Sequence, residues 1–461
     1  MAEQILNEEE GKRQARKTSI REGNFSAFSS GLADNYIVPL GNAITNSALV
    51  IGCLSAIPNL LSPIAQMYGS RLMEKHSRKK IVVGFVFIHS LLWLTVALIG
   101  ILGYLGYLKS YLPFLLVAAY SIIAAVGGFS GPAWFSWMGD VVSEKERGKY
   151  FSRRNRITGF SGMIAFIVGA LVLDLLETKG IVLAGFAILY FGASITRFIG
   201  FLLFRKQYEP SFSLNKEEYY FTFWQFIRKN TNFAKFSFYM GAFQFAMTLA
   251  GPFYAVHMLK NLQFSYTTYM IVSLSGTIFY LLLTPLAGKF SDRYGNLKLI
   301  YIASGFFALY PVAWIFLKSP ISLIFIAQLI TGIATAAFAI GTNNFIYDTV
   351  TPQRRGLCVA YNNMFSGAGI FLGSLAGGLI LGYAHPSFMN AFYFLFAVSA
   401  IMRASMALIF LWKVKEIRTF ERMPGPLTWA MFPLTMLEEQ YVYVKDFSRG
   451  LIDKHKKILK V

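Results

Sequence analysis

The sequence predicts an all-α integral membrane protein with twelve transmembrane helices, arranged as two pseudo-symmetric six-helix bundles. The chain of 461 residues is 55% hydrophobic and only 14% charged, whereas charged residues make up about a quarter of a soluble domain. The chain contains a series of uncharged apolar stretches, each about 20 residues long. This is the length that a helix needs to cross a hydrocarbon core of roughly 30 Å. The region after the fourth stretch is repeated after the tenth.

Each predicted span is an apolar stretch bounded by polar or charged residues. The spans cover residues 25–43, 46–72, 80–107, 111–139, 155–176, 180–204, 233–257, 265–289, 297–317, 320–347, 357–383 and 389–412. The chain thus divides into five segments. These are a cytoplasmic N-terminal segment 1–24, an N-terminal bundle 25–204, a cytoplasmic linker 205–232, a C-terminal bundle 233–412 and a basic cytoplasmic tail 413–461.

The formal charge of +20 is distributed along the chain as in a membrane protein. Of the 43 lysines and arginines, 37 fall on one set of alternating loops and flanking span ends, and the opposite loops hold four. This bias predicts a multi-pass protein of the plasma membrane with both termini in the cytoplasm. The positive charge is expected to face anionic lipids at the cytoplasmic side, and it argues against nucleic acid as a partner.

An internal repeat relates the two predicted bundles. Six of the twenty residues from 140 to 159 are identical to the residues 208 positions later. The matching pairs include Asp140 with Asp348, Arg147 with Arg355, Gly148 with Gly356, Asn155 with Asn363 and Gly159 with Gly367. A duplicated six-helix unit explains this spacing.

A second repeated motif follows spans 2 and 8. The later copy places Gly288, Asp292, Arg293 and Gly295 before a further base, and the earlier copy has Glu74 at the position of the acid. Here the chain resembles the major facilitator superfamily, whose signature is a glycine, an acid, a base, a second glycine and basic residues. The resemblance implies a secondary transporter that works by alternating access.

The resemblance further implies a cytoplasmic latch. In this arrangement the two acids meet the starts of spans 11 and 5 when the cavity is open outward. The acid can accept hydrogen bonds from a helix N-terminus or from an arginine. The candidate latch residues are Glu74, Arg147, Asn155, Gly288, Asp292, Arg293, Arg355 and Asn363.

Asp34 is the only carboxylate predicted well inside a span, and Ala27, Ser30 and Gly31 share its helical face. Because a buried charge is costly, Asp34 is expected either to bind a coupling proton or cationic solute or to be a neutral hydrogen-bonded acid. By the resemblance, spans 1, 4, 7 and 10 line the central cavity. The candidate cavity residues are Asp34, Asn35, Trp134, Trp137, Gln244, Thr248, Asn343 and Asn344. For the tryptophans, the alternative is the interfacial aromatic belt.

Arg197 and Arg403 lie at equivalent depths of spans 6 and 12. A guanidinium so deep needs a partner, and we expect Arg197 to pair with Asp140 and Arg403 with Asp348. The alternative is that each arginine reaches the lipid headgroups unaided.

The expected function is secondary active transport of a small solute, coupled to protons through Asp34. A facilitative uniporter and a non-transporting receptor or scaffold are the alternatives. An enzyme is not expected, because the five histidines are scattered and no nucleophile, metal or nucleotide motif accompanies them. We expect no cofactor and no metal, and a monomer. The single acid and the lack of a central base favour a neutral or cationic solute.

Overall fold

The computed structural model describes residues 2–143, 147–210, 223–228, 231–350, 352–384 and 386–417, and within these ranges the chain forms helices and no β-strand. The α-helices are α1 (Ala2–Ala33), α2 (Ile37–Ile44), α3 (Ala48–Leu72), α4 (Arg78–Leu105), α5 (Leu112–Val141), α6 (Arg147–Glu177), α7 (Val182–Lys206), α8 (Phe223–Arg228), α9 (Asn232–Ala250), α10 (Phe253–Val256), α11 (Tyr266–Tyr294), α12 (Asn296–Phe316), α13 (Pro320–Ser322), α14 (Leu329–Thr349), α15 (Pro352–Tyr383) and α16 (Ala391–Phe410).

Ten helical stretches of the described chain are long and apolar enough to cross a membrane. These ten correspond to predicted spans 2–6 and 8–12, so the protein is an all-helical, multi-pass membrane protein. Predicted spans 1 and 7 are not among the ten, although their helices α1 and α9 have 32 and 19 residues, and the count of twelve stays a prediction.

Both of these stretches are interrupted helices. Predicted span 1 breaks between α1 and α2, where Asp34–Tyr36 form a short 3-10 turn. Predicted span 7 breaks after Ala250, where Gly251 and Pro252 separate α9 from α10. Proline lacks the backbone N–H that would continue the hydrogen-bond ladder, which explains the second break. Interrupted helices at matching positions of a repeat are a common location for transporter binding sites.

The helix of predicted span 1 begins much earlier than the sequence suggested. α1 runs without interruption from Ala2 to Ala33, so the expected boundary at residue 24 lies inside a helix. Ala15 is fully buried and packs against Ile81, Val82 and Trp137. The expected cytoplasmic N-terminal segment therefore contributes to the core, and its residues Ser19 and Glu22 are buried too.

Serine caps and left-handed glycines define several helix ends. The Ser47 and Ser77 hydroxyls accept hydrogen bonds from the backbone N–H groups of Val50 and Lys80, which caps α3 and α4. Gly106 ends α4 at a φ of 81°, a conformation that costs glycine little. Gly295 has a φ of 105° at the tight junction between α11 and α12.

The chain forms two compact units that do not follow the predicted halves. The first contains Met1–Gln225, Met240–Ile271 and Gly356–Ser399, and the second contains Phe226–Tyr239, Val272–Arg355 and Ala400–Val461. The predicted bundles 25–204 and 233–412 follow the sequence repeat and remain a prediction.

Each unit has its own apolar core. In the first, Trp137, Met138 and Val141 pack among residues of α1, α4 and α7. In the second, α11, α12 and α14 meet at a cluster that includes Leu286, Leu299 and Ala336. Burial of these faces stabilises each unit.

Close helix contact in the first unit depends on glycines of α15. A Cβ atom at Gly369, Gly373 or Gly377 would overlap a backbone carbonyl of α9. The spacing of four residues places the three glycines on one face, where small residues allow two backbones to approach.

Candidate functional site

A cavity of about 460 Å³ lies in the first unit between α1 and α6. Its walls carry small and polar side chains. They are Ala27, Ser30, Gly31, Asp34, Asn35, Asn155, Thr158, Gly159 and Gly162. Asp34 is the only charged residue among them. The face of Ala27, Ser30 and Gly31 that the sequence indicated forms one wall of this cavity, together with Asp34 and Asn35. A central cavity lined by spans 1, 4, 7 and 10 stays a prediction.

Asp34 lies at the break between α1 and α2, where its side chain is exposed to the cavity. The Tyr120 hydroxyl, from α5, donates to the Asp34 carboxylate at 3.4 Å. The Asn35 amide donates to the carbonyl of Gly31 at 3.3 Å. Tyr120 was missed by sequence reasoning, since an isolated tyrosine in an apolar span carries no distinguishing pattern.

Asn155 has a different position from the one expected. It was a candidate for the latch, and the structure places it on the cavity wall beside Thr158. It lies at the start of predicted span 5, so this end of the span contributes a polar side chain to the cavity wall.

The prediction that Trp137 lines the cavity is wrong. Trp137 is fully buried, and its indole N–H donates to the carbonyl of Tyr208 at 3.0 Å. Trp134 is half-buried, and the guanidinium of Arg154 lies 4.6 Å from its ring centroid. Such a contact is a cation–π interaction. Neither tryptophan is among the residues that line the cavity.

The four remaining cavity candidates lie elsewhere. Thr248 donates to the carbonyls of Gln244 and Ile370 at 2.8 and 3.3 Å, so its hydroxyl serves the contact between α9 and α15. Gln244 is half-buried and Asn343 is exposed. Asn344 donates to the Ser291 hydroxyl at 3.1 Å. A cavity role for Gln244 and Asn343 stays a prediction.

Asp140 forms an ion pair with Arg78, at the start of α4. The Arg78 guanidinium is fully buried, lies 2.5 Å from the Asp140 carboxylate, and donates to the carbonyl of Ser136 at 3.1 Å. The Asp140 side chain is about half exposed. The expected pairing of Asp140 with Arg197 is therefore wrong.

A matching network occupies the equivalent positions of the second unit. Asn296, at the start of α12, donates to the Asp348 carboxylate at 2.8 Å. It also contacts the Ser291 hydroxyl, which accepts from Asn344. Asn296 follows Asp292 by four residues, as Arg78 follows Glu74. In both copies, the first residue of the helix after the motif, which is α4 or α12, binds the acid at the end of α5 or α14.

Two further acids cap these helices. A carboxylate oxygen of Glu209 accepts from the backbone N–H of Lys79 at 3.0 Å, and one of Glu416 accepts from that of Leu297 at 2.7 Å. An acid at a helix N-terminus is stabilised by the helix dipole. Burial raises the pKa of Glu416, although the hydrogen bond from Leu297 opposes this shift. The two glutamates lie 130 and 119 residues after the amides that they bind, and no short motif in the sequence marks either one.

Arg197 binds a different acid from the one expected, and this acid belongs to the same compact unit. Its guanidinium lies 3.5 Å from the Glu22 carboxylate and donates to the Ser26 hydroxyl. Arg154 lies 3.6 Å from the other oxygen of Glu22. The sequence placed Glu22 in the expected cytoplasmic N-terminal segment, where it was no candidate partner. The continuous helix α1 brings it into the first unit.

Arg403 is also buried, with 1% of its surface exposed. It donates to the carbonyl of Phe307 at 2.9 Å, whereas the Asp348 carboxylate accepts from Asn296. The expected pairing of these two residues is thus not among the contacts that the structure describes. The carbonyl of Phe307 thus accepts one of the hydrogen bonds that the guanidinium can donate.

The latch candidates remain a prediction. Glu74, Asp292 and Arg293 are exposed, and a Cβ atom at Gly288 would meet open space. Asn363 is exposed on α15. The side chains of Arg147 and Arg355 lie outside the described residues.

Comparison with known proteins identifies the family. The sequence profile of the Major Facilitator Superfamily matches residues 23–254 and again residues 236–430. A search of curated protein sequences finds no match.

Solved transporter structures share the fold. The nucleoside transporter NupG is 15% identical, with 88% of this chain and 100% of that chain covered at a TM-score of 0.61. A bacterial homologue of the iron transporter ferroportin, in an inward-facing state, is 13% identical, with 86% and 98% covered at 0.62. An auto-inhibited peptide transporter of the POT family is 12% identical, with 90% and 100% covered at 0.66. The chain belongs to the major facilitator superfamily and is a membrane transporter.

Proposed function

We propose that this transporter moves a small neutral or cationic solute by alternating access, with proton binding at Asp34 coupled to the transport cycle. The observation that carries this proposal is the cavity at the break between α1 and α2, where Asp34 is the only charged residue on the wall. A carboxylate in such a place can exchange a proton or a cation as the cavity opens and closes. Ser30, Asn35, Asn155 and Thr158 supply hydrogen bonds to a polar solute.

The proposal includes twelve spans in two six-helix halves, with α1–α2 and α9–α10 as interrupted spans 1 and 7. It places the protein in the plasma membrane with both termini in the cytoplasm, where the 37 basic residues face anionic lipids. The protein acts as a monomer, without cofactor or catalytic activity.

The test uses the purified full chain in liposomes that contain a pH-sensitive dye. A panel of small neutral, cationic and anionic metabolites is added one at a time, and proton movement is recorded. We expect a neutral or cationic member of the panel to drive proton movement. Solute uptake that moves no protons would instead identify a facilitative uniporter. No uptake across the panel would favour a receptor or scaffold.

Asp34→Asn preserves the shape of the side chain and removes its titration. We expect this variant to exchange solute across the membrane but to lose accumulation driven by a proton gradient. Asp34→Glu, which keeps a carboxyl group, is the matched control and retains accumulation. Unchanged accumulation in Asp34→Asn would rule out the coupling role.

A further inference from the structure

Tyr269 joins the turn between α1 and α2 to the start of α11. Its hydroxyl donates to the backbone carbonyl of Asn35 at 3.1 Å. Tyr269 lies in the first turn of α11 and is 8% exposed. Asn35 directly follows Asp34 in the short turn between α1 and α2. The backbone beside the cavity carboxylate is therefore bound to another helix.

The start of α11 is in turn held by α6. The two carboxylate oxygens of Asp174 accept from the backbone N–H groups of Tyr266 and Thr267 at 2.7 and 2.9 Å. We call this pair of hydrogen bonds the α6–α11 clasp. A carboxylate at a helix N-terminus is stabilised by both hydrogen bonds and the helix dipole. The Tyr269 ring also contacts Phe166 of α6, with centroids 5.9 Å apart.

The clasp lies at the predicted outer ends of its helices. Predicted span 5 ends near residue 176, and predicted span 8 begins near residue 265. At the same predicted side, the Lys260 ammonium donates to the Asn46 side chain at 2.7 Å, in the loop that follows α2. These contacts join separate helices at the predicted outer side, and in the proposed transport cycle an outward-open state requires the clasp to open.

We propose that Tyr269 is a positioning residue that couples the charge of Asp34 to opening of the α6–α11 clasp. The inference rests on the proposed function of Asp34 and adds a route by which binding at Asp34 reaches the predicted outer face. Tyr120 from α5 also contacts Asp34, and Arg197 from α7 acts on it electrostatically. Neither of these groups connects Asp34 to α11, so Tyr269 supplies the connection.

The physical reason is the position of Asp34 after the C-terminal end of α1. The turn Asp34–Tyr36 separates the C-terminal end of α1 from the N-terminal end of α2, so the peptide groups around Asp34 respond to its charge. Neutralising Asp34, by a proton or a cationic solute, removes this charge, weakens the hydrogen bond from Tyr120 and changes the turn that carries the Asn35 carbonyl. The Tyr269 hydroxyl follows its acceptor, and the start of α11 moves relative to Asp174.

The experiment measures clasp opening without a transported solute. Spin labels are attached to cysteines at Lys179 and Asn261, both exposed, in full-length protein with Cys53→Ser and Cys358→Ser. Distance distributions are recorded in liposomes by pulsed electron resonance. Asp34→Asn stands for the neutral acid, and it is made with Tyr269 intact and with Tyr269→Phe.

With Tyr269 intact, we expect Asp34→Asn to change the ratio of open to closed populations about fivefold or more, the range of allosteric coupling. In Tyr269→Phe the same change at Asp34 should leave the ratio unaltered. Tyr266→Phe is the matched control, because it removes a tyrosine hydroxyl from the same helical turn and should preserve the Asp34 effect.

Equal effects of Asp34→Asn with and without the Tyr269 hydroxyl would overturn the proposal, as would no effect in the protein with Tyr269. If Tyr269 contributes to folding alone, Tyr269→Phe should shift the distance distribution by the same amount whether residue 34 is Asp or Asn. Suppose that Asp34→Asn loses accumulation but changes the open and closed populations equally with Tyr269 and with Tyr269→Phe. The proposed function then stands, and only the coupling route through Tyr269 fails. If accumulation is unchanged, the coupling role of Asp34 fails by itself.

Discussion

Nη1 of Arg78 lies 2.5 Å from Oδ2 of Asp140, and Asn296 takes the place of Arg78 beside Asp348 in the second unit. The two contacts occupy corresponding positions of the internal repeat. Each joins the first residue of one span to the end of the next span. One copy uses an ion pair and the other an amide, so the repeat preserves the location of the contact and changes its charge.

Arg78→Met should destabilise the protein more than Asp140→Asn does. Arg78 is fully buried and its loss leaves several acceptors without a donor, whereas Asp140 is half exposed and asparagine keeps an acceptor. An unsatisfied buried group costs about 1–3 kcal/mol. Thermal unfolding in detergent measures the difference, with Lys80→Met, an exposed base two residues later, as the control. Equal losses from Arg78→Met and Lys80→Met would contradict this account.

Arg197→Met and Glu22→Gln should be non-additive. The two side chains belong to one buried cluster with Arg154, so the losses from removing Arg197 and Glu22 should not sum. Asp140→Asn should instead add its full effect in the Arg197→Met background, since Asp140 binds Arg78. Folded yield and melting temperature of the single and double variants provide the test. Additivity between Arg197 and Glu22 would show that they act independently.

Glu209→Ala and Glu416→Ala should each weaken a helix start by about 0.5–2 kcal/mol, the usual range for loss of a capping side chain. Each acid accepts from the backbone N–H of the second residue of its helix. Lys415→Ala is the control for Glu416, because the contacts described for Lys415 involve its backbone. Hydrogen exchange of the first turn of α4 or α12 should rise only in the matching glutamate variant. A change confined to other helices would exclude capping.

Gly373→Ala should disrupt the contact between α9 and α15. The added methyl group would overlap the backbone carbonyl of Phe245, and overpacking typically costs about 1–3 kcal/mol. Gly382→Ala, in the same helix, meets open space and is expected to be neutral or slightly stabilising. Melting temperatures of the two variants should therefore move apart. Similar values would show that the two helices can separate without cost.

Single cysteines should reveal the orientation of the chain. In a background without Cys53 and Cys358, cysteines at Lys109, Lys179 and Lys260 should react in intact cells with a membrane-impermeant thiol reagent. Cysteines at Lys145 and Lys216 should react only after the cells are permeabilised. The positive-inside bias is the physical reason for this expectation. The reverse labelling pattern would invert the topology.

The sequence alone determined the membrane class, the repeat and the family signature. These depend on hydropathy and spacing, which are local properties of the chain. It also placed Asp34, Ala27, Ser30 and Gly31 on one face, since residues three or four apart share a face in any helix. The cavity wall formed by these residues follows from that periodicity.

Only the tertiary structure decided which charges meet. Arg197 binds Glu22 instead of Asp140, and Asp140 binds Arg78, because a long-range pair depends on which helices are neighbours and how each is rotated. The same reason moves Trp137 from an expected cavity wall to the core. The bond between Tyr269 and the Asn35 carbonyl joins residues far apart in the chain. A backbone acceptor exposed by a helix break has no signature in the sequence, so its partner becomes visible only when the helices are packed.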